Sequence, residues 1–352
     1  MSQNALAQEY PPAAEAAAIA DLAQRLQDKI TEQYQTGIMR RDAHPKMHGL
    51  VRAEFTVLPD IADEWRVGVF REAKTYQAWI RFSNQNDKIQ SDLEKDIRGM
   101  AIKLMGVPGD KLLETELNAR THDFIVISTN VFVTRDVAEF DALVKAMTSG
   151  FLATAWFFMI HLRVGWNLLR SMKPCGNPLR LRYWSTTPYL FGSNAVKYSA
   201  IPVLPDGSVA DDCIPINPGP DYLREAMVSQ LARGDVHFHF AVQKQLDADS
   251  MPIEDPGVEW REQLSPFVNL AAIRIMQQEF DTPAQREFGE NLSYNPWHCL
   301  PEHRPLGGIN RARKVVYETI SRFRHQRNQV SSVEPVDWEL PTGRGATNAP
   351  LP

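Results

Sequence analysis

The stretch 51–128 contains VRAEFTVL (51–58), WRVGVF (65–70), YQAWIRF (76–82), GMAIKLM (99–105) and DFIVIS (123–128). Each run is short and rich in β-branched and aromatic residues, and most are separated by polar or turn residues. Several strands at this spacing predict an antiparallel sheet closed, or nearly closed, into a barrel. Working outward, Ala13 to Gln35 places Ile19, Leu22, Leu26 and Ile30 at helical spacing, which predicts an opening helix. Residues 137–172 are helical in period. Tyr189–Tyr198 and Val236–Gln245, which begins VHFHFAVQ, return to strand character. After Gly289 the chain is Pro-rich and irregular, wrapping the surface or lining a site, and then enters a last helix. The expected fold class is α+β: an antiparallel β-barrel core with surrounding helices. Residues 1–36 are read as a helical arm, 37–325 as one barrel domain, and 326–352 as a polar, partly disordered tail.

Composition narrows the function classes. The 352 residues are 43% hydrophobic with a net charge of -5, and the basic residues are dispersed, so no nucleic-acid partner is expected. Cys175, Cys213 and Cys299 lack CxxC or zinc spacing and suit a reducing compartment. The N-terminus carries no secretory pattern, which makes a cytoplasmic location the expectation. The most apolar segment, FLATAWFFMIHLRVGWNLL (151–169), contains His161 and Arg163 and is not expected to span a bilayer. It reads as a helix packed against the core or a substrate channel, with shallow membrane-surface contact as the lesser expectation.

Four clusters carry chemistry. In Arg313-Lys314-Val315-Val316-Tyr317, followed by Arg322-Phe323-Arg324, the side chains of Arg313, Tyr317 and Arg324 fall within about 40° of arc on one helix face. Positive charge beside a phenol favours the phenolate, a hard ligand suited to ferric iron. The plainer reading is a half-buried Tyr among solvated arginines. Arg41-Asp42-Ala43-His44, with His48 close behind, puts a candidate general base at the mouth of the barrel, and local sequence does not choose between the two histidines. In Trp79-Ile80-Arg81-Phe82-Ser83, Arg81 shares a strand face with Trp79 and Ser83 and needs an anion if that face is buried: Asp96 or a ligand carboxylate. Gly99 is read as a tight entry into the next strand. Thr129 to Asp136 leads to Phe140, for which core packing is the default.

In order, these clusters resemble the haem catalase family. RDAH (41–44), IRFS (80–83), DIRGMAIKL (96–104), TNVFVTRD (129–136), RYWSTTP (182–188), FGSNAVK (191–197) and the Arg313/Tyr317/Arg322/Arg324 spacing fit successive family segments from about Gly37 to His325. The resemblance implies haem b (iron protoporphyrin IX) with Tyr317 as its iron ligand and Arg313 holding the phenolate; tyrosine ligation is a known property of catalase. It implies His44 as distal acid–base residue, Arg41, Arg81 and Arg324 on the propionates, and Phe140 stacked on the porphyrin.

Three departures bear on selectivity. His44 is followed by Pro45-Lys46-Met47 instead of Ala-Lys-Gly, which keeps His48 as a rival. The family's distal Asn pair falls on Ile127 and Ser128, leaving Ser128 or Asn130 as polar partner. Ala43 stands where a bulkier residue is usual. Relative to the family the sequence also lacks the long N-terminal arm and C-terminal domain, which weakens the inference of an interlocked tetramer. The expected activity is reduction of hydrogen peroxide and of alkyl or fatty-acid hydroperoxides by an organic reductant, with modest catalase turnover and room for a homo-oligomer. A hydroperoxide isomerase or dehydratase like the catalase-related allene oxide synthases, and a non-catalytic haem-binding barrel, are the alternatives.

Overall fold

The computed structural model describes residues 5–204 and 214–341. Strands β1 (Met47–Val57), β2 (Thr75–Asn84), β3 (Arg98–Met105) and β4 (Thr121–Ile127) form a meander of antiparallel pairs. They are followed by β5 (Tyr183–Trp184), β6 (Tyr189–Phe191), β7 (Asn194–Val203), β8 (Val236–Lys244) and β9 (Val268–Ile275). β9 pairs with both β1 and β8, and the two-residue β5 pairs with both β4 and β7. Eight strands thereby close a barrel, with β6 as an extra strand on β7.

Alternation sets what the barrel holds. Phe55, Ile80, Phe82, Ile102, Phe124, Phe240 and Ile273 point inward and are buried. Phe124 and Phe240 meet at 4.7 Å between ring centroids, and Phe55 and Phe240 at 5.1 Å. The interior is filled by side chains, as in other small barrels, so any cofactor must sit against the outer wall.

Helices α1 (Glu15–Gln33), α2 (Val137–Thr148), α3 (Phe151–Ile160), α4 (Leu162–Ser171), α5 (Tyr222–Leu231), α6 (Pro283–Asn291) and α7 (Gly308–Asn328) surround it. The Asp136 carboxylate caps α2 by accepting the Glu139 N–H at 2.8 Å, while the Glu139 carboxylate accepts the Arg135 N–H at 2.8 Å. Leu22, Leu26 and Ile30 of α1 join Leu143 and Val144 of α2 and Ile309, Ala312 and Ile320 of α7 in a second core outside the barrel. This packing presses α7 toward the outer wall.

Two expected elements differ. Trp65–Phe70 is not a strand; short turns at Asp63–Trp65 and Gly68–Phe70 replace it. Gly68 has φ +54, outside the extended region a strand requires. A Cβ on Gly68 would lie 2.2 Å from His303 Nε2. The segment 151–169 is two helices that break at His161 (φ -101, ψ 62), and most of its apolar side chains face outward instead of packing. Within 326–341, α7 continues to Asn328, and Trp338 packs beside Met47, Leu50 and Trp79, donating to the Ala78 carbonyl at 3.1 Å. Residues 342–352, the end of the expected tail, and Cys213 lie outside the described residues. Among the described residues no helix is long and apolar enough to cross a membrane.

Candidate active site

A cavity of about 840 Å³, its mouth included, lies between the outer face of β2–β4 and the inward face of α7. From the barrel side come Arg81, Ser83, Gly99, Ala101 and Ile125 to Ile127; from α7 come Val316, Tyr317, Ile320, Ser321 and Arg324. Arg41 and His44 close it from the loop before β1. One space therefore gathers five of the seven residues singled out in the sequence.

His44 is held in the left-handed region, φ +64, where few residues other than glycine sit. Its carbonyl accepts the Arg81 guanidinium at 2.8 Å and its N–H donates to the Gln85 carbonyl at 3.3 Å. The ring Nδ1 lies 3.0 Å from Ser83 Oγ. Gly99 makes room for it: a Cβ there would stand 2.6 Å from His44 Cε1. Gly99 thus serves close approach of the imidazole, not a special turn into β3. Burial, then the charges of Arg81, Arg313 and Arg41, push the His44 pKa down to about 3, so the imidazole is neutral at pH 7.

His48 is separated from this space. It is buried on β1 with Nε2 2.6 Å from Asn84 Oδ1 and Nδ1 3.9 Å from Asp92, and burial takes its pKa to about 4.

The arginines form a charged end to the cavity. Burial first, and the charge of Arg41 next, lower both Arg81 and Arg324 to about 9. Arg81 Nε and Arg41 NH1 are buried without a hydrogen-bond partner. Asp96 does not answer Arg81; its carboxylate accepts the N–H groups of Asn86 and Ile97. The nearby carboxylate is Glu290 of α6, 3.5 Å from Arg41 and 4.0 Å from Arg324. Three cations against one anion leave two positive charges, and buried charges of this kind call for partners. A flat apolar ligand bearing two carboxylates fits that balance, as haem does with its propionates.

Arg313 and Phe140 stand behind the cavity wall. Arg313 donates to Thr187 Oγ1 at 3.1 Å and Asn310 Oδ1 at 3.2 Å and covers the Phe132 ring at 5.5 Å. Phe140, on α2, meets Phe132 edge-on at 5.5 Å and is not among the lining residues. The two candidate polar partners are engaged elsewhere: Ser128 Oγ accepts the Arg98 N–H at 2.8 Å, and Asn130 donates to Glu259 at 2.7 Å. Ile127 lines the cavity instead. Sequence reasoning missed Glu290 and Tyr294, since nothing local marks either as facing the arginines.

The catalase family model matches residues 13–150. No match is found among curated proteins. Among solved structures the chain is similar to a fungal catalase (15% identity, TM-score 0.65, covering 92% of this chain and 66% of that one). It is also similar to catalase A from Saccharomyces cerevisiae (16%, 0.64, 93% and 69%) and to a bacterial catalase (15%, 0.63, 94% and 66%). The chain thus spans about two thirds of the length of these catalases and shares their fold.

Proposed function

We propose that the chain belongs to the haem catalase superfamily, whose family model matches residues 13–150, and that it is a haem b-dependent hydroperoxidase. It reduces organic hydroperoxides, and hydrogen peroxide, to alcohol and water or to water, taking two electrons and two protons from an organic donor. The observation that carries this reading is the single cavity joining His44, Tyr317 and an under-neutralised arginine cluster.

Bound there, haem would supply the ferric centre at which the peroxide O–O bond is opened. Tyr317 would hold the metal from α7, and Arg41, Arg81 and Arg324 would take the two carboxylates. The protein's own task is proton movement. With Nδ1–H donating to Ser83 Oγ, His44 keeps a lone pair on Nε2. That nitrogen takes the proton from the hydroperoxide OH and returns it to the departing oxygen. Its depressed pKa keeps it in the accepting form throughout the neutral range.

The preference for organic over hydrogen peroxide rests on the barrel-side wall. Ile125 and Ile127 present apolar surface where a polar partner would order a small peroxide, and Ser128 and Asn130 are both occupied elsewhere. Carbon-bearing hydroperoxides gain from burial against such a wall, by about 25 cal/mol for each Å² covered.

The test is spectroscopic and then chemical. Purified protein reconstituted with haem is expected to give a ferric Soret band that Tyr317→Phe removes or shifts strongly. With cumene hydroperoxide and a phenolic donor, alcohol is the expected product, and His44→Ala lowers its rate by about 10²-fold or more. Oxygen evolution at high rates from hydrogen peroxide alone, with bulky hydroperoxides ignored, would reverse the preference. An epoxide or ketone product would replace reduction by rearrangement.

A further inference from the structure

Helices α3 and α4 expose what globular proteins bury. Phe151 is 84% exposed, Leu152 82%, Leu162 73% and Leu169 74%, and Trp156, Met159 and Trp166 are open as well. On α3 the residues 152, 156 and 159 share a face, and on α4 162, 166 and 169 do. The arrangement is built, not frayed. Phe157, Phe158, Val164 and Leu168 anchor the pair into the second core. At the bend, His161 stacks on Phe157 at 4.1 Å and sits 3.0 Å from Glu139, while Arg163 makes a two-pronged pair with Asp255 at 2.6 and 2.9 Å. A contiguous apolar surface of this kind marks an interaction site.

Charge selects the occupant. In a chain of net charge -5, the segment between Asp141 and Asp206 contains seven Lys and Arg residues and no Asp or Glu. Lys145 precedes the helix pair, and Arg170 and Lys173 end it; all three are exposed and, among the described residues, enter no ion pair. An apolar face carrying two tryptophans, flanked by unpaired cations, complements the surface of an anionic phospholipid bilayer.

We propose that α3 and α4 dock the protein on anionic phospholipid membranes, with the exposed apolar side chains immersed and the cations at headgroup level. Ten residues make a helix of about 15 Å, half the hydrocarbon thickness, so the pair dips into one leaflet and does not span. The second core runs from Phe157 and Val164 to Ile127, Val316 and Ile320, and these three line the cavity. The docked face and the candidate active site are therefore joined by continuous apolar packing. Delivery of membrane-derived lipid hydroperoxides to the cavity rests on the hydroperoxidase reading; the docking itself does not.

Flotation of the full-length protein with vesicles tests it. We expect co-flotation with phosphatidylcholine–phosphatidylglycerol vesicles, much less with phosphatidylcholine alone, and weakening at high salt. The triple variant Leu152→Ser, Trp156→Ser, Leu169→Ser should lower affinity at least about tenfold with its far-ultraviolet dichroism intact. The pair Arg170→Glu, Lys173→Glu, which leaves the apolar face untouched, should abolish the preference for anionic lipid. Absence of flotation on either vesicle, or flotation unchanged in both variants, overturns the proposal. So does a concentration-dependent dimer that the triple variant dissolves while vesicles bind neither form. Turnover of a soluble hydroperoxide by the same samples separates failure of docking from failure of the enzymatic reading.

Discussion

At the scale of single residues, the site depends on one missing methyl group. His44 keeps its ring against the β3 backbone because Gly99 has no Cβ, and the 2.6 Å approach leaves no room for one. Neither backbone nor imidazole can yield freely there, since His44 is tied through its carbonyl to Arg81 and through Nδ1 to Ser83. Gly99→Ala should therefore displace the imidazole by a fraction of an ångström to an ångström while leaving the arginine cluster and α7 as they are. Misplacement of that size costs about 10²-fold when a proton must be moved at a defined atom. The expected result is a turnover number lowered by about that factor with haem content unchanged. Turnover within twofold of the parent would mean that the imidazole is not the proton carrier.

Among elements, α7 decides whether a cofactor can be held, and its orientation is set partly from a face other than that of Tyr317. Arg311 reaches Glu15 at 2.5 and 2.7 Å and Glu254 at 2.7 Å, and it also pairs with Glu9, so one guanidinium ties the start of α7 to the N-terminal segment and to the loop after β8. Arg311→Ala leaves three carboxylates facing one another. It should cost about 2 kcal/mol of stability, the network being partly solvated, and speed haem loss measured by transfer to apomyoglobin. Arg311→Lys should recover little, because an ammonium lacks the planar fork that holds both oxygens of Glu15 while reaching Glu254. Haem loss unchanged in both variants would show that α7 is positioned by the apolar core alone. None of this network was legible in the sequence, because its members are separated by up to about 300 residues. The strands β1 to β4 were legible, because each contains a short run rich in β-branched, aromatic or other apolar residues. The two-residue β5 offers no period at all, and Trp65–Phe70 has strand composition, but Gly68 turns the backbone at φ +54. The α3–α4 segment has the composition of a buried helix, and only its partners could show that it faces outward. For the same reason His44, Arg81, Tyr317 and Arg324 could be named from motifs, while Glu290, which sets their charge balance, could not.

For the whole molecule, the buried histidines outside the cavity fix how stability depends on pH. His48 is held near pKa 4, His303 near 3 and His122 well below its ordinary value, all chiefly by burial. In the unfolded chain each titrates near 6.5. Between about pH 6.5 and 4 the unfolded state therefore binds more protons than the folded one, and stability rises with pH across that window and is lost as pH falls through it. Asp42, Asp96 and Asp123 oppose this, since burial raises their pKa values, Asp123 to about 6, so below that value the folded state gains protons the unfolded one lacks. Their effect is felt mostly below pH 6, so the first decline on acidification belongs to the histidines. Lys197 extends the trend upward. Buried on β7 beneath Trp260, it is lowered to about 7 by desolvation, so from about pH 7 to 10 the unfolded chain again holds the extra proton. The urea midpoint of the protein should rise steadily from pH 5 to 9 with little change in slope m. Lys197→Met should flatten the alkaline half of that rise and stabilise the protein at pH 7. His303→Gln should reduce the acidic gradient by up to about 1.4 kcal/mol per pH unit, the share of one proton. A midpoint independent of pH from 5 to 9, in the parent protein, would mean that these groups are solvated in the fold and that the barrel and its helical wall are looser than the packing described.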